Sequence, residues 1–153
     1  MENPYAPPKA ALESQASNLA TPTVKLFSIS GIGIATFFGS ILAGAIIMAI
    51  NFRRLNQPGQ ANMAVLLGFI TTTAILVLSA FLPDNFPGVV LTVVQLFAMI
   101  KIAQSNQGPA IADHLSAGGK LSSNWSAFGI SLLVIIPIIV VIFMFIISQE
   151  AEF

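Results

Sequence analysis

The sequence has no cysteine and only one histidine, His114, among its 153 residues. The absence of cysteine excludes disulfides, zinc–thiolate sites and thiol nucleophiles, and a single histidine excludes any site that needs two. Charged residues make up 8% of the chain, against about 25% in a typical soluble domain. Because the formal net charge is zero, the composition predicts neither a nucleic-acid surface nor a polybasic tract for anionic lipid.

Apolar residues are abundant instead, at 56% of the chain, and the mean hydropathy is +0.88. The stretch from Leu26 to Ile50 contains 25 consecutive residues without a charge. As one helix it would be roughly 37 Å long, enough to cross a hydrocarbon core of about 30 Å. We therefore predict an integral membrane protein, since so few charges could not cover this much apolar surface in water.

The pattern of apolar runs predicts an all-α, four-helix membrane bundle with spans at about 26–51, 63–82, 86–103 and 125–147. Residues 1–25 are interrupted by prolines and predict a disordered tail, and residues 149–153 form a short tail after the four-span domain, 26–148. In the link 104–124, Pro109 fits a helix start and Gly118–Gly119 a helix stop. This link therefore predicts a short interfacial helix between spans three and four.

Small residues recur at intervals of four along spans one and two. In lipid, such residues let helix backbones approach closely, and this packing holds helices together. The pattern indicates either packing within the bundle, which is the commoner case, or a tight interface between subunits. The predicted packing residues are Ala35, Gly39, Ala43, Ser40, Gly44, Ala64, Gly68 and Thr72.

The distribution of basic residues predicts the orientation, because loops rich in lysine and arginine stay in the cytoplasm. With four spans, Arg53, Arg54, Lys101 and Lys120 share one side, whereas Lys25 lies on the other. This places both termini in the periplasm and the basic links in the cytoplasm. Two further features of the last span are an interfacial anchor, Trp125, and a proline expected to kink the helix, Pro137.

The link between spans three and four is the candidate surface for a partner. It is the longest link, and it would expose Asp113, His114 and Lys120. Loops on a rigid scaffold are where binding residues usually lie. The alternatives are that the link merely connects two helices, and that His114 is an ordinary solvated histidine.

Several motifs resemble a group of small bacterial four-span inner-membrane proteins of unknown function. They are the run 35–40 (ATFFGS), the run 42–44 (LAG), the exit Asn51-Phe52-Arg53, and the later His114, Gly118–Gly119 and Ser123-Asn124-Trp125. The similarity covers roughly residues 29–136. It implies a bacterial inner membrane and no particular activity.

Three classes of function fit the sequence to different degrees. We expect a non-enzymatic accessory, scaffold or immunity-type component, without cofactor, that acts through helix–helix and loop contacts with another membrane protein or a second copy. An oligomeric pore or small transporter is the alternative, although ion paths usually contain charges within the membrane. An intramembrane enzyme would need a nucleophile with its base, or a metal cluster, and the sequence shows neither pattern.

Overall fold

The computed structural model describes residues 23–83 and 85–150. It contains four helices and two short strands. Their bounds in chain order are β1 Lys25–Leu26, α1 Ile29–Arg54, α2 Pro58–Ser79, α3 Gly88–Ser116, β2 Lys120–Leu121 and α4 Asn124–Glu150. This confirms the all-helical fold with four long helices, and by length and composition alone each of the four is a candidate membrane span. Most of the predicted N-terminal tail, residues 1–22, lies outside the described residues, as do residues 151–153.

Helix α1 is not straight, because its backbone reverses direction at Ser40. That residue has φ 74° and ψ 176°, far from helical values. In a straight helix Phe27 and Asn51 would be separated by 24 residues, or roughly 36 Å. Instead the Phe27 N–H donates to Asn51 Oδ1 at 2.7 Å. Helix α1 is therefore a hairpin of two antiparallel half-helices, residues 29–39 and 41–54.

The hairpin overturns the prediction that residues 26–51 form a membrane span. Each half-helix is only about 16–21 Å long, too short to cross a hydrocarbon core of about 30 Å. Both ends of the hairpin lie together, so the chain enters and leaves at the same end of the bundle. Helix α4 begins at that end and runs roughly 40 Å away from it. The described chain therefore begins at the open end of the hairpin and ends at the opposite end of the bundle, and the side on which each terminus lies stays a prediction.

The other three helices surround the hairpin and pack mainly against it rather than against each other. Helix α2 packs on the second half-helix, with Gly68 beside Ala45. Helix α4 runs along the first half-helix, with Ala127 beside Gly31. As a result 61% of the apolar window of α1 is buried, against 17% or less in the other three helices.

Helix α3 covers the seam between the two half-helices. Ile100 faces Gly33 of the first half-helix, and Met99 faces Gly44 of the second. The hairpin reaches only part of the way along α2, α3 and α4. We call the part of the bundle that contains the hairpin the inner half, and the part beyond its tip at Ser40 the outer half.

The open end of the hairpin collects most of the basic residues. Strand β1 pairs in parallel with β2, which sets Lys25 opposite Lys120. The Arg54 guanidinium donates to the Lys25 carbonyl and to Ser122 Oγ and lies 5.2 Å from the centre of the Phe27 ring. We call this end of the bundle, with Lys25, Arg53, Arg54 and Lys120, the basic end.

The predicted interfacial helix between spans three and four does not exist as a separate element. Helix α3 continues through Pro109 to Ser116, although the proline removes one helical hydrogen bond. Beyond it, Ile111 and His114 are buried on the same face as Gln107, and this packing keeps the segment helical. The longer helix also places Lys101 near its middle, rather than at the end of a span.

Candidate functional site

Asn51 closes the open end of the hairpin. Its side chain is fully buried, and its amide bonds to both backbone groups of Phe27. The Phe27 N–H donates to Oδ1 at 2.7 Å, and Nδ2 donates to the Phe27 carbonyl at 2.9 Å. In apolar surroundings an unpaired backbone group costs several kcal/mol, by order of magnitude. A single amide thus pairs two groups at the hairpin entrance that would otherwise lack partners.

Gln107 connects this closure to α3. It is also fully buried, and its Oε1 accepts a bond from Asn51 Nδ2 at 2.9 Å. Its Nε2 donates to the Met48 carbonyl at 2.8 Å. The sequence pattern identifies neither amide as a site residue, because it predicts a helix exit at Asn51 and a loop at Gln107. The signal that could have found them is an amide shortly after the end of each of two long apolar runs.

The tip of the hairpin is the second polar location. The turn at Ser40 removes the normal helical acceptor of the Leu42 N–H, and Thr72 Oγ1 of α2 accepts that bond at 3.1 Å. The Ser40 hydroxyl oxygen is buried and has no hydrogen-bond partner in the described part of the chain. The tip therefore combines a strained backbone with one unpaired hydroxyl at the middle of the bundle.

The small residues of α1 lie at close contacts around this tip, but not as a stripe on one helix. A Cβ at Gly39 would lie 2.6 Å from Ala43 Cβ and 2.9 Å from the Ser131 carbonyl of α4. The reversal thus sets Gly39 and Ala43 facing each other across the turn. Gly44 lies against Thr36 of the opposite half-helix. Of the predicted packing residues, Ala35, Gly39, Ala43, Gly44 and Gly68 are buried, whereas Ser40, Ala64 and Thr72 are half-buried.

One of the three predicted partner-contact residues, His114, is buried and so is not part of the exposed surface. This side chain is only 7% exposed, and its Nε2 lies 3.2 Å from the Lys120 carbonyl. The ring also lies against Gly119, where no Cβ would fit. The prediction of an exposed histidine is therefore wrong, because α3 continues far enough to carry it beneath the chain at 118–120. Asp113 and Lys120 are exposed.

The remaining predicted residues lie on the surface. Arg53 and Lys101 are exposed, and the Arg53 side chain has no hydrogen bond or ion pair within the described part of the chain. Trp125, in the first turn of α4, is 80% exposed, and its ring meets that of Phe128 edge-on at 6.0 Å. Pro137 lies inside α4, which continues on both sides of it.

A groove of about 460 Å³ opens between α2 and α3, with the second half-helix as its floor. It extends from Ile41 near the tip to Phe52 near the basic end, and its wall is mostly apolar. Two amides, Gln60 and Asn106, line it at the basic end, and Thr71 lines it near the tip. The other lining residues are Ala45, Met48, Met63, Ala64, Leu67, Gly68, Ala98, Met99 and Ile102.

The polar side chains of the inner half form hydrogen bonds mainly with other residues of this chain. Asn51, Gln107 and Arg54 all bond to the chain at the hairpin's open end. Within residues 23–83 and 85–150, no three metal-ligating side chains come together at a position that could hold an ion. This arrangement gives a rigid, hydrogen-bonded inner half and leaves the hairpin tip, the groove and the outer half as the places available to other molecules.

Comparison with known proteins gives no match to a family model, to a curated protein or to a solved structure.

Proposed function

We propose that this chain is a non-enzymatic integral membrane protein that serves as an accessory or scaffold component by binding another membrane protein. The observation that carries the proposal is that a central element fills the inner half of the bundle but not the outer half. The hairpin is the central element of the inner half, and the outer half has no central element among the described residues. A helix from a partner would complete it.

The surface that would receive this helix follows from the helix faces. Beyond the hairpin tip, the faces of α2, α3 and α4 that pack on the hairpin continue as half-buried residues. We call this set the outer face, and it comprises Ile75, Leu91, Gln95 and Ile138. The side chain of Gln95 forms no hydrogen bond within the described chain, and its amide would be available to a partner helix. The exposed Asp113 and Lys120 would add polar contacts at the basic end.

The proposed orientation follows from the basic residues that the hairpin brings to one end of the bundle. Lys25, Arg53, Arg54 and Lys120 all lie at one end of the bundle, so we place that end in the cytoplasm of a bacterial inner membrane. Lys25 opposed this orientation under a four-span topology and supports it under the hairpin topology. The chain then crosses the membrane three times, and the described C-terminal end at Glu150 lies in the periplasm.

Site-specific photo-crosslinking tests the proposed partner contact. A photoreactive residue at Ile75 or Ile138 should capture a discrete membrane protein in cells. The matched controls are Leu66 and Leu133, which are exposed residues of the same two helices outside the outer face. Equal capture at all four positions, or capture of lipid alone at Ile75 and Ile138, would rule out the outer face as the contact surface.

The alternative, a pore or small transporter, is favoured by one specific observation, the polar hairpin tip. Non-helical backbone at membrane depth occurs where it is buried in protein or lines a water-filled cavity. The Ser40 hydroxyl and Thr72 lie at such a turn, without a charged neighbour that would select ions. A neutral solute such as glycerol would fit this chemistry. In a glycerol gradient, proteoliposomes should shrink and re-swell faster than protein-free liposomes if this alternative holds. The Ser40→Ala variant should then lose this faster re-swelling, whereas Ser79→Ala should keep it.

A further inference from the structure

Two lysines that lie far apart in the sequence meet on the surface of the basic end. The parallel pairing of β1 with β2 sets Lys25 directly opposite Lys120. Neighbouring strands are about 4.8 Å apart, and side chains at paired positions point to the same face of the sheet. Both side chains are exposed, and neither forms a hydrogen bond or an ion pair within the described part of the chain. The two positive charges therefore lie side by side and unpaired.

Arg54 adds a third positive charge on the same face of the two strands. Phe27 follows Lys25 by two residues, and Ser122 follows the other lysine by two. Side chains two residues apart along a strand point to the same face. The Arg54 guanidinium contacts both, since it lies 5.2 Å from the centre of the Phe27 ring and donates from Nη1 to Ser122 Oγ at 3.2 Å. Its Nε and Nη2 form no hydrogen bond within residues 23–83 and 85–150, so one edge of the guanidinium is free to bind an anion.

The charges of Lys25, Arg54 and Lys120, which we call the cation cluster, are not neutralised by the described chain. Asp113 is the only aspartate or glutamate in residues 23–83 and 85–149, and it forms no ion pair with any of the three. Like charges at opposite positions of neighbouring strands repel, so an anion bound among them would remove an unfavourable interaction. His114 helps to fix the arrangement, because its Nε2 lies 3.2 Å from the Lys120 carbonyl oxygen.

The chemistry of the cation cluster suits a phosphate group. A guanidinium edge binds two phosphate oxygens at once, and lysines act as point charges beside it. We propose that the cation cluster binds a phosphate group, which comes either from the headgroup of an anionic phospholipid or from phosphate in solution. The inference does not depend on the partner contact of the outer face. Only the lipid source depends on the proposed membrane insertion, which cysteine labelling tests independently.

Thermal unfolding of the purified full chain in a neutral detergent tests the proposal and separates the two sources. One arm adds inorganic phosphate or, at equal ionic strength, chloride. The other arm adds phosphatidylglycerol or phosphatidylcholine. A melting temperature that rises more with phosphate than with chloride supports the site and identifies phosphate in solution as a ligand. A rise that is larger with phosphatidylglycerol than with phosphatidylcholine supports it with a lipid headgroup, and no preference in either arm would overturn it.

The two lysines are the residues to change, because their side chains form no bond that holds the fold. In the arm that responds, Lys25→Gln or Lys120→Gln should weaken the apparent affinity about fivefold, the value expected for one basic residue near a lipid surface. The double variant should lose the preference altogether. A preference that persists in the double variant would be a general salt or surface effect and would overturn the proposal.

Arg53→Gln is the matched control for net charge at the basic end. Arg53 is exposed at the same end, but it precedes Arg54 by one residue and therefore points about 100° away from it around the helix. The variant removes one positive charge without touching the cation cluster, and salt screens the attraction that remains at longer range. It should weaken the affinity clearly less than either lysine variant does. Equal weakening in all three variants would show a diffuse positive surface instead of a phosphate site.

Discussion

The inner and outer halves of the bundle are stabilised in different ways. The inner half has a central element, the hairpin of α1, and two fully buried amides that bond across it. The outer half consists of three helices whose side chains are mostly exposed. The comparison teaches that hydrophobicity alone does not pack helices in a membrane. Close backbone contact at small residues and satisfied polar groups do so, and both are concentrated in the inner half.

The largest expected effect concerns the hairpin itself, and cysteine labelling tests it directly. The natural chain has no cysteine, so single cysteines can be placed at Val24, Asn56 and Asn85 without further changes. In sealed vesicles of one orientation, an impermeant thiol reagent should either label both Val24→Cys and Asn56→Cys or label neither. Asn85→Cys should give the opposite result to these two. Labelling of Val24→Cys and Asn56→Cys from opposite sides would show that α1 crosses the membrane as one span.

The second prediction concerns the close contact at the hairpin tip. Gly39→Leu should prevent folding, because even a Cβ at this position would lie 2.9 Å from the Ser131 carbonyl. Gly129→Leu on α4 is the matched control, since nothing lies within 4 Å of a Cβ there. The yield of monodisperse protein in detergent measures both variants. Equal yields would mean that the inner half is not packed as tightly as the hairpin requires.

The third prediction concerns the amide that closes the hairpin. Asn51→Leu leaves the Phe27 N–H, the Phe27 carbonyl and Gln107 Oε1 without their partner. At about 1–3 kcal/mol for each unpaired buried group, the free energy of unfolding should fall by roughly 3 kcal/mol or more. Gln95→Leu, which removes a half-buried amide without a bond in the described chain, should change it by less than about 0.5 kcal/mol. Reversible unfolding in mixed micelles measures the difference, and similar losses in both variants would contradict the assigned network.

The smallest expected effect is a gain in stability at the turn. Ser40 occupies a backbone region that glycine adopts readily and other residues adopt at a cost of about 1–3 kcal/mol. Ser40→Gly should therefore stabilise the protein by about 1 kcal/mol, after the greater flexibility of glycine in the unfolded chain is subtracted. Ser40→Ala separates the causes, because it removes the unpaired hydroxyl but keeps the Cβ. If both variants gain equally, the hydroxyl and not the backbone is the source of the strain.

The sequence predicted an all-helical fold with four long apolar helices and the positions of most of their boundaries. Two predictions about helices, a span at 26–51 and a separate short helix in the link 104–124, were wrong, and both failed for the same reason. The run from Leu26 to Ile50 has the same length and hydropathy whether it spans or doubles back. Likewise, Pro109 and Gly118–Gly119 suit a separate short helix as well as the end of a long one. Local signals assign helical residues, but they do not show the direction in which a helix continues.

The sequence by itself determined which residues enter an apolar environment, because hydropathy is a property of each side chain. Only the tertiary structure decided the reversal at Ser40, since the bonds that hold it join residues far apart in the chain. Asn51 bonds to Phe27 across 24 residues and to Gln107 across 56. Those long-range bonds also bring Lys25 beside Arg54 and bury His114. Polar groups buried among apolar side chains are thus paired by distant parts of the chain, and these bonds hold the reversal in place.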